Sequence, residues 1–178
     1  QNYADKNKIQ VLITQFDTEA FAKDYKLSTQ VAARELRYSW FYELLNDNNF
    51  DYLLTAHHAD DNLETFLINL SRGTGIDGLT GIPIENEQVI RPLLLFSRDE
   101  ISIYAKENNI SWREDSSNSS DKYLRNKIRH DLIPILKEIN PNFLSSFQKT
   151  QNYLQEAKVM VEDASIMIYQ QVAQEVGD

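Results

Sequence analysis

The chain has 178 residues, of which 42% are hydrophobic and 25% charged, and their periodic arrangement is typical of one globular domain. Its formal net charge of −9 excludes non-specific nucleic-acid binding by the whole surface, because phosphate contacts require lysine and arginine. The absence of cysteine excludes disulfides, thiolate zinc sites and thiol nucleophiles within these residues. No segment has the roughly 20 apolar residues of a membrane span, so we expect a cytoplasmic protein.

Two short β-rich runs, Ile9–Thr14 and Tyr52–Ala56, flank a long segment with helical periodicity. Ser28 is a favourable N-cap, and we expect the helix to begin there. Strand, helix and strand at this spacing predict a parallel βαβ unit and therefore an α/β fold.

The stretch HHADDNLETFLINLSRGTG follows the second β-rich run directly. Its apolar residues keep helical spacing until Gly73 and Gly75. These glycines are expected either to end the helix or to form a turn that belongs to a functional site. His57 and the acidic residues after it therefore lie where a strand ends and a helix begins. Ligands bind at that carboxyl edge in open α/β sheets, so this stretch is the first candidate for a functional site.

The segment IRPLL is typical of a short strand or edge segment, and Ser97 with Glu100 predicts a capping box on the next helix. Trp112 is expected in the core. The following DSSN sequence predicts a loop.

From Tyr123 the pattern is helical, with breaks expected at Pro134 and near residues 140–141. One long helix is predicted from Phe143 to about Val172. An α/β half is therefore followed by a helical half.

Asp61 and Glu64 are three residues apart at the start of a predicted helix, so both carboxylates project from one face. Two hard oxygen ligands in this position suit Mg²⁺, which completes its shell with water and substrate phosphates. The alternative is that Asp60 caps the helix and that the other two are surface charges, worth about 1 kcal/mol each, that favour the helix dipole. A transition-metal site with the histidines is a further alternative, although no HExxH spacing occurs.

Basic residues cluster late in this acidic chain; they are Lys122, Arg125, Lys127, Arg129 and Lys137. Arg125 and Arg129 are four residues apart on one helix face, the arrangement needed to address a phosphate. Arg37 shares a face with Arg34 in the same way. A solvated helix face would give the same spacing in both cases, so both interpretations stay open at this point.

Four separated motifs carry a resemblance to a known family: TAHHADDNLETFLINLSRGTGIDGLTGI, RPLL, REDSSN and RNKIRHDLIP. In order and spacing they resemble the tRNA(Ile)-lysidine synthetases, and the similarity extends from about Phe16 to about Leu136. That family belongs to the N-type ATP pyrophosphatases, in which an SGGxDS loop holds the pyrophosphate of ATP. The resemblance implies a Rossmann-like parallel sheet of the adenine nucleotide α-hydrolase type, followed by a helical segment.

The resemblance also implies a ligase that uses ATP, Mg²⁺ and free L-lysine to modify a tRNA(Ile) with a CAU anticodon. AMP would be transferred to the C2 oxygen of the wobble cytidine and then displaced by lysine. Asp61 and Glu64 match the family's acidic pair and would bind metal or the lysine ammonium, and Arg125 would act in catalysis. The residues expected to bind ATP or tRNA are Arg37, His57, Gly73, Gly75 and Arg129. A homodimer is a further expectation.

The SGGxDS loop does not occur in the chain, since the sequence contains no Ser-Gly-Gly. The family's first strands would precede Gln1, so we expect a fragment that is inactive in isolation. Residues 1–121 would be a partial ATP pyrophosphatase domain, and residues 122–178 a helical extension toward further domains. The alternatives are a tRNA 2-thiocytidine synthetase, which would need cysteines, and a non-catalytic RNA-binding module.

Overall fold

The computed structural model describes residues 2–113 and 124–173. The chain forms two compact units that divide between Leu53 and Leu54. No helix in the described ranges is both long and apolar enough to cross a membrane. The elements are, in chain order, α1 (Asn2–Asn7), α2 (Thr18–Asp24), α3 (Thr29–Asn48), β1 (Leu53–Leu54), α4 (Ala59–Arg72), α5 (Ile76–Leu79), β2 (Glu85–Asn86), β3 (Val89–Ile90), α6 (Arg98–Glu107), α7 (Leu124–Lys127), a π-helical turn (Ile128–Leu132), α8 (Ile133–Ile139) and α9 (Phe143–Val172).

The first unit is organised around α3, whose start the sequence predicts correctly. The Ser28 hydroxyl accepts a hydrogen bond from the Val31 backbone N–H at 3.3 Å and so caps the helix. α3 packs against α2 and buries Ala32 and Leu45. Asn49 ends the helix in the left-handed conformation, with a φ of 53°.

The predicted strand at Ile9–Thr14 is wrong. This run lies between α1 and α2 and is neither helix nor strand. Its side chains are exposed, Ile13 by 70%. A strand needs neighbouring backbone to pair with, and no strand of the described residues pairs with this run.

A small sheet has the strand order β1-β3-β2. β2 and β3 are antiparallel, with Glu85 opposite Ile90. Directly after β1, the Thr55 N–H donates to the Ile90 carbonyl at 3.0 Å. The predicted strand in the 52–56 run is thus confirmed, and it leads straight into the HHADD stretch.

The core of the second unit forms where α4, the π-helical turn, α8 and α9 meet. Its buried residues are Leu63, Ile128, Ile133 and Phe147. The rings of Phe66 and Phe147 pack with their centroids 5.2 Å apart. This core holds the first turns of α4 against the segment that carries the predicted basic residues.

The helical segment from Leu124 continues through Pro134, where the sequence predicts a break. The chain widens into the π-helical turn at Ile128–Leu132, and α8 then begins, with Pro134 in its first turn. Proline lacks an N–H and is tolerated in the first turn of a helix, so the segment remains helical. The break near residues 140–141 and the long helix Phe143–Val172 are confirmed.

The predicted capping box of α6 is confirmed. The Ser97 hydroxyl accepts from the Glu100 N–H at 3.1 Å, and the Ser97 N–H donates to the Glu100 carboxylate at 2.7 Å. The Ser97 hydroxyl and N–H both donate to that carboxylate, and they lower the pKa of Glu100. Trp112 is 51% exposed, so its predicted place in the core is wrong; it follows α6 in a stretch with no helix or strand to carry it inward.

Several expectations fall on residues that the structure does not describe. They are Lys122, the REDSSN motif beyond Arg113, and the predicted boundary between residues 121 and 122. The division into residues 1–121 and 122–178 therefore stays a prediction.

Candidate active site

The start of α4 is fixed by a reciprocal cap between His58 and Asp61. The Nδ1 atom of His58 accepts from the Asp61 N–H at 3.3 Å, and the Asp61 carboxylate accepts from the His58 N–H at 3.1 Å. The sequence suggested Asp60 as the N-cap, and this is wrong. Histidine is seldom the N-cap of a helix, so the sequence did not indicate that His58 has this role.

Asp60 instead joins the starts of two helices. Its Oδ2 atom accepts from the Arg98 N–H, the first of α6, at 2.8 Å. Its Oδ1 atom lies 3.3 Å from the Lys137 ammonium on α8. Asp60 therefore ties α4 to α6 and α8, beside the side chains predicted to act.

Glu64 is the buried centre of a charged cluster that consists of Asp61, Glu64, Arg125 and Arg129. It is 1% exposed, and its carboxylate receives two hydrogen bonds from Arg129, Nε to Oε1 at 2.6 Å and Nη2 to Oε2 at 2.9 Å. The Nε atom of Arg125 lies 3.6 Å from the same carboxylate. Hydrogen bonds from Arg129 to Glu64 raise the pKa of the Arg129 guanidinium. The interpretation of Glu64 as a surface charge is wrong, because it lies next to the core residue Leu63 on the packed face of α4.

Thr65 links Arg125 to the first turn of α4. Its hydroxyl donates to the Asp61 carbonyl at 2.9 Å and accepts from Nη2 of Arg125 at 2.9 Å. The Arg125 side chain remains 44% exposed, so its guanidinium is available to solvent. Our sequence reasoning missed Thr65; its position four residues after Asp61 on one helix face was the available signal.

The carboxylates differ in what they could still bind. The Glu64 side chain is 1% exposed and its carboxylate is already paired with Arg129, so Glu64 does not fit as a ligand of hydrated magnesium in this arrangement. Oδ2 of Asp61 accepts from the His58 N–H, whereas its Oδ1 has a contact with Arg129 at 3.5 Å. No group of three His, Asp or Glu side chains among the described residues is arranged to hold a metal. Asp61 Oδ1 is thus the oxygen of the predicted pair with capacity for a cation.

The other predicted site residues have local contacts of their own. Nδ1 of His57 is 2.9 Å from the Thr55 hydroxyl, at the end of β1. Gly73 ends α4 with a φ of 74°, and Gly75 is the N-cap of α5, so both lie at the end of α4 remote from the charged cluster. Arg37 belongs to the first unit, where its guanidinium lies 5.9 Å from the ring centre of Tyr38.

The residues of the charged cluster all fall within a stretch that matches a known family. The family model, described as a PP-loop domain, matches residues 1–136. The chain belongs to the PP-loop domain family. This membership confirms the Rossmann-like α/β fold class predicted from the four motifs.

The chain is also similar to proteins named tRNA(Ile)-lysidine synthase. It is 45% identical to the one from Porphyromonas gingivalis over 141 residues, which are 79% of this chain and 31% of the relative. It is 38% identical to the one from Bacillus licheniformis over 166 residues, 91% of this chain and 35% of the relative. For Petrotoga mobilis the identity is 41% over 165 residues, 90% of this chain and 53% of the relative. The resemblance is thus confirmed, and the chain spans about a third of the first two relatives.

Proposed function

We propose that the protein carrying this chain is a tRNA(Ile)-lysidine synthetase. The C2 oxygen of the wobble cytidine in a CAU anticodon attacks the α-phosphorus of ATP, which displaces pyrophosphate and leaves AMP bonded to that oxygen. The amine of free L-lysine then forms a bond to C2 and loses a proton to solvent. The bond between C2 and the oxygen breaks, and AMP leaves with the oxygen.

The observation that carries this proposal is the convergence of Asp61, Glu64, Arg125 and Arg129. Residues 65 positions apart, Glu64 and Arg129, meet at the start of one helix, within the stretch that matches the relatives. The reaction brings together two polyanions, ATP and tRNA, and one cationic amino acid. A site for it needs guanidinium groups for phosphate and carboxylates for the cation, and this cluster provides both.

The geometry favours different roles for the two arginines. Arg129 donates to Glu64 through two nitrogens and is mostly buried, so it serves best by holding that carboxylate. Arg125 is held by Thr65 but remains exposed, so its guanidinium can contact a phosphoryl oxygen. Asp61, whose Oδ1 keeps binding capacity, would hold the lysine ammonium or Mg²⁺. Bound Mg²⁺ would neutralise charge on the departing pyrophosphate.

ATP use is expected from PP-loop membership together with the names of the relatives. The rival 2-thiocytidine synthetase gains no support, since the chain contains no cysteine. Arg37, His57, Gly73 and Gly75 remain proposed contacts for ATP or tRNA, and a homodimer also remains a proposal.

The direct test is lysine incorporation by the full-length protein. Radiolabelled lysine, ATP and a tRNA(Ile) transcript with a CAU anticodon should give labelled tRNA, and AMP and pyrophosphate should appear in equal amounts. A matched transcript with uridine at the wobble position should not be labelled. No labelling from a preparation that binds the transcript, or equal labelling of both transcripts, would contradict the proposal. The isolated 178-residue chain, which has no Ser-Gly-Gly sequence, should be inactive in the same assay.

A further inference from the structure

A cleft lies in the second unit beside the first half of α9. It is a cleft of about 550 Å³ between the 80–85 segment, residues 94–95 and the first half of α9. Its walls include Ile82, Pro83 and Leu94. None of the four charged residues of the candidate active site lines it, so it is a separate place on the molecule.

The polar groups that line this cleft are mostly side-chain amides. They are Asn62 from α4 and Gln148, Gln151, Asn152 and Gln155 from α9. Positions 148, 151, 152 and 155 recur at helical spacing, so the α9 amides share one face of the helix. Glu85 is the one charged residue among the described lining residues, and no lysine or arginine is among them.

Two of these amides fix the shape of the cleft and leave one atom unused. Asn62 Oδ1 accepts from the Ile82 N–H at 2.7 Å, and Gln151 Nε2 donates to the Leu79 carbonyl at 2.7 Å. Gln151 is only 7% exposed, and its buried Oε1 atom has no hydrogen-bond partner among the described residues. An unpaired buried amide oxygen is costly, so this atom marks a polar position at the cleft wall whose partner the described residues do not supply.

The other amides that line the cleft have polar atoms that can bind a ligand. Asn152 and Gln155 are exposed, and their side chains make no hydrogen bond to the described chain. Gln148 uses its Nε2 atom on the Leu95 carbonyl at 3.1 Å and keeps its Oε1 for another partner. The cleft therefore offers paired donors and acceptors between apolar walls.

These properties select the class of ligand. A cleft without cationic side chains does not suit a phosphate. Apolar walls with neutral donors and acceptors suit a flat, uncharged heterocycle, and the volume lies in the range of small-molecule sites. Side-chain amides pair in two-point fashion with N6 and N7 of adenine. We propose that the amide-lined cleft between α9 and the 80–85 segment binds an unpaired nucleobase, with adenine preferred.

The base could belong to an RNA strand or to a free nucleoside. Unpaired RNA bases are read by hydrogen bonds to their edges, which is the chemistry this cleft offers. That the base comes from RNA rests on the proposed function, whereas binding of the base itself does not.

Equilibrium dialysis with radiolabelled adenosine tests base binding without ATP, lysine or turnover. Adenosine should bind saturably and more tightly than uridine. Asn152→Ala with Gln155→Ala should weaken it about tenfold, as loss of a two-point contact does. Gln170→Ala removes an exposed amide of α9 outside the cleft and should change nothing. No saturable binding, or binding unchanged in the double variant, would overturn the site, and equal uridine binding would overturn the preference.

A second experiment tests whether the base belongs to an RNA strand or to a free nucleoside. A short single-stranded RNA with one adenosine should bind more tightly than the same strand with an abasic position, and the double variant should abolish the difference. Equal binding of both strands, alongside normal adenosine binding, would overturn RNA as the source. Because this assay involves no lysine transfer, its failure is distinct from failure of the proposed function.

Discussion

Glu64 and Arg129 form a two-point ion pair, with Nε–Oε1 and Nη2–Oε2 distances of 2.6 and 2.9 Å, across 65 positions of the sequence. Only 1% of the Glu64 side chain is exposed. Removing one partner of a buried ion pair leaves an uncompensated charge and is strongly destabilising, so the pair couples the packing of α4 to that of the π-helical turn.

Glu64→Gln should therefore lower the free energy of unfolding by about 3–5 kcal/mol, because it leaves the Arg129 charge without its buried partner. Asp61→Asn is the matched variant, since Asp61 is more exposed and mainly caps the helix, and it should cost about 1 kcal/mol. Urea denaturation of both variants measures the difference. Equal losses would mean that Glu64 is effectively solvated.

Arg125→Lys should reduce lysidine formation by the full-length protein at least about 100-fold, because lysine keeps the charge but not the planar fork that contacts a phosphoryl group. The affinity for tRNA should stay within about twofold, because the charge is retained. Single-turnover rates at saturating tRNA, paired with filter binding, separate the two quantities. Lys127→Ala is the control, because Lys127 is exposed and belongs to the same helix. Weaker tRNA binding with normal turnover would assign Arg125 to the tRNA backbone instead.

Thr65→Val should lower turnover while Thr65→Ser retains it, because only the hydroxyl accepts from Nη2 of Arg125. Valine has nearly the same shape as threonine, so the difference reports on the hydrogen bond. The effect should fall on kcat and not on the KM for lysine, since Thr65 positions a side chain assigned to phosphate. If valine and serine behave alike, Arg125 does not depend on Thr65.

Gly73→Ala should destabilise the protein by about 1–3 kcal/mol, because its φ of 74° and ψ of 118° suit glycine alone. Gly75→Ala should be neutral or stabilising by up to about 1 kcal/mol, because its φ is −77° and a Cβ would meet nothing within 4 Å. Thermal melting of both variants is the measurement. Loss of activity in Gly75→Ala without loss of stability would instead support its proposed role in binding ATP or tRNA.

Two local signals in the sequence predicted the starts of helices correctly. Ser28 and the Ser97–Glu100 box lie where the chain pattern placed them, because a cap depends on residues within one turn. The run Ile9–Thr14 failed because strand formation depends on a distant partner. Helical spacing correctly predicted that the two acidic residues lie together and that the two arginines lie together. The contact between the acidic pair and the arginine pair, and the burial of Glu64, arise from the packing of Leu63 and Ile128. Periodicity within one helix carries no information about that.

The π-helical turn at Ile128–Leu132 holds one residue more than an α-helical turn would. A π-helical turn accommodates its extra residue locally, so the helix downstream keeps the phase that it would have after a regular turn. Deleting a single residue between Arg129 and Ile133 should therefore restore a regular helix and leave Ile133 in the core and Lys137 beside Asp60. Deleting a residue from α8, which is regular, would instead rotate the chain beyond it by about 100°. Changes of length should therefore be tolerated better at this turn during evolution than in the helix that follows it.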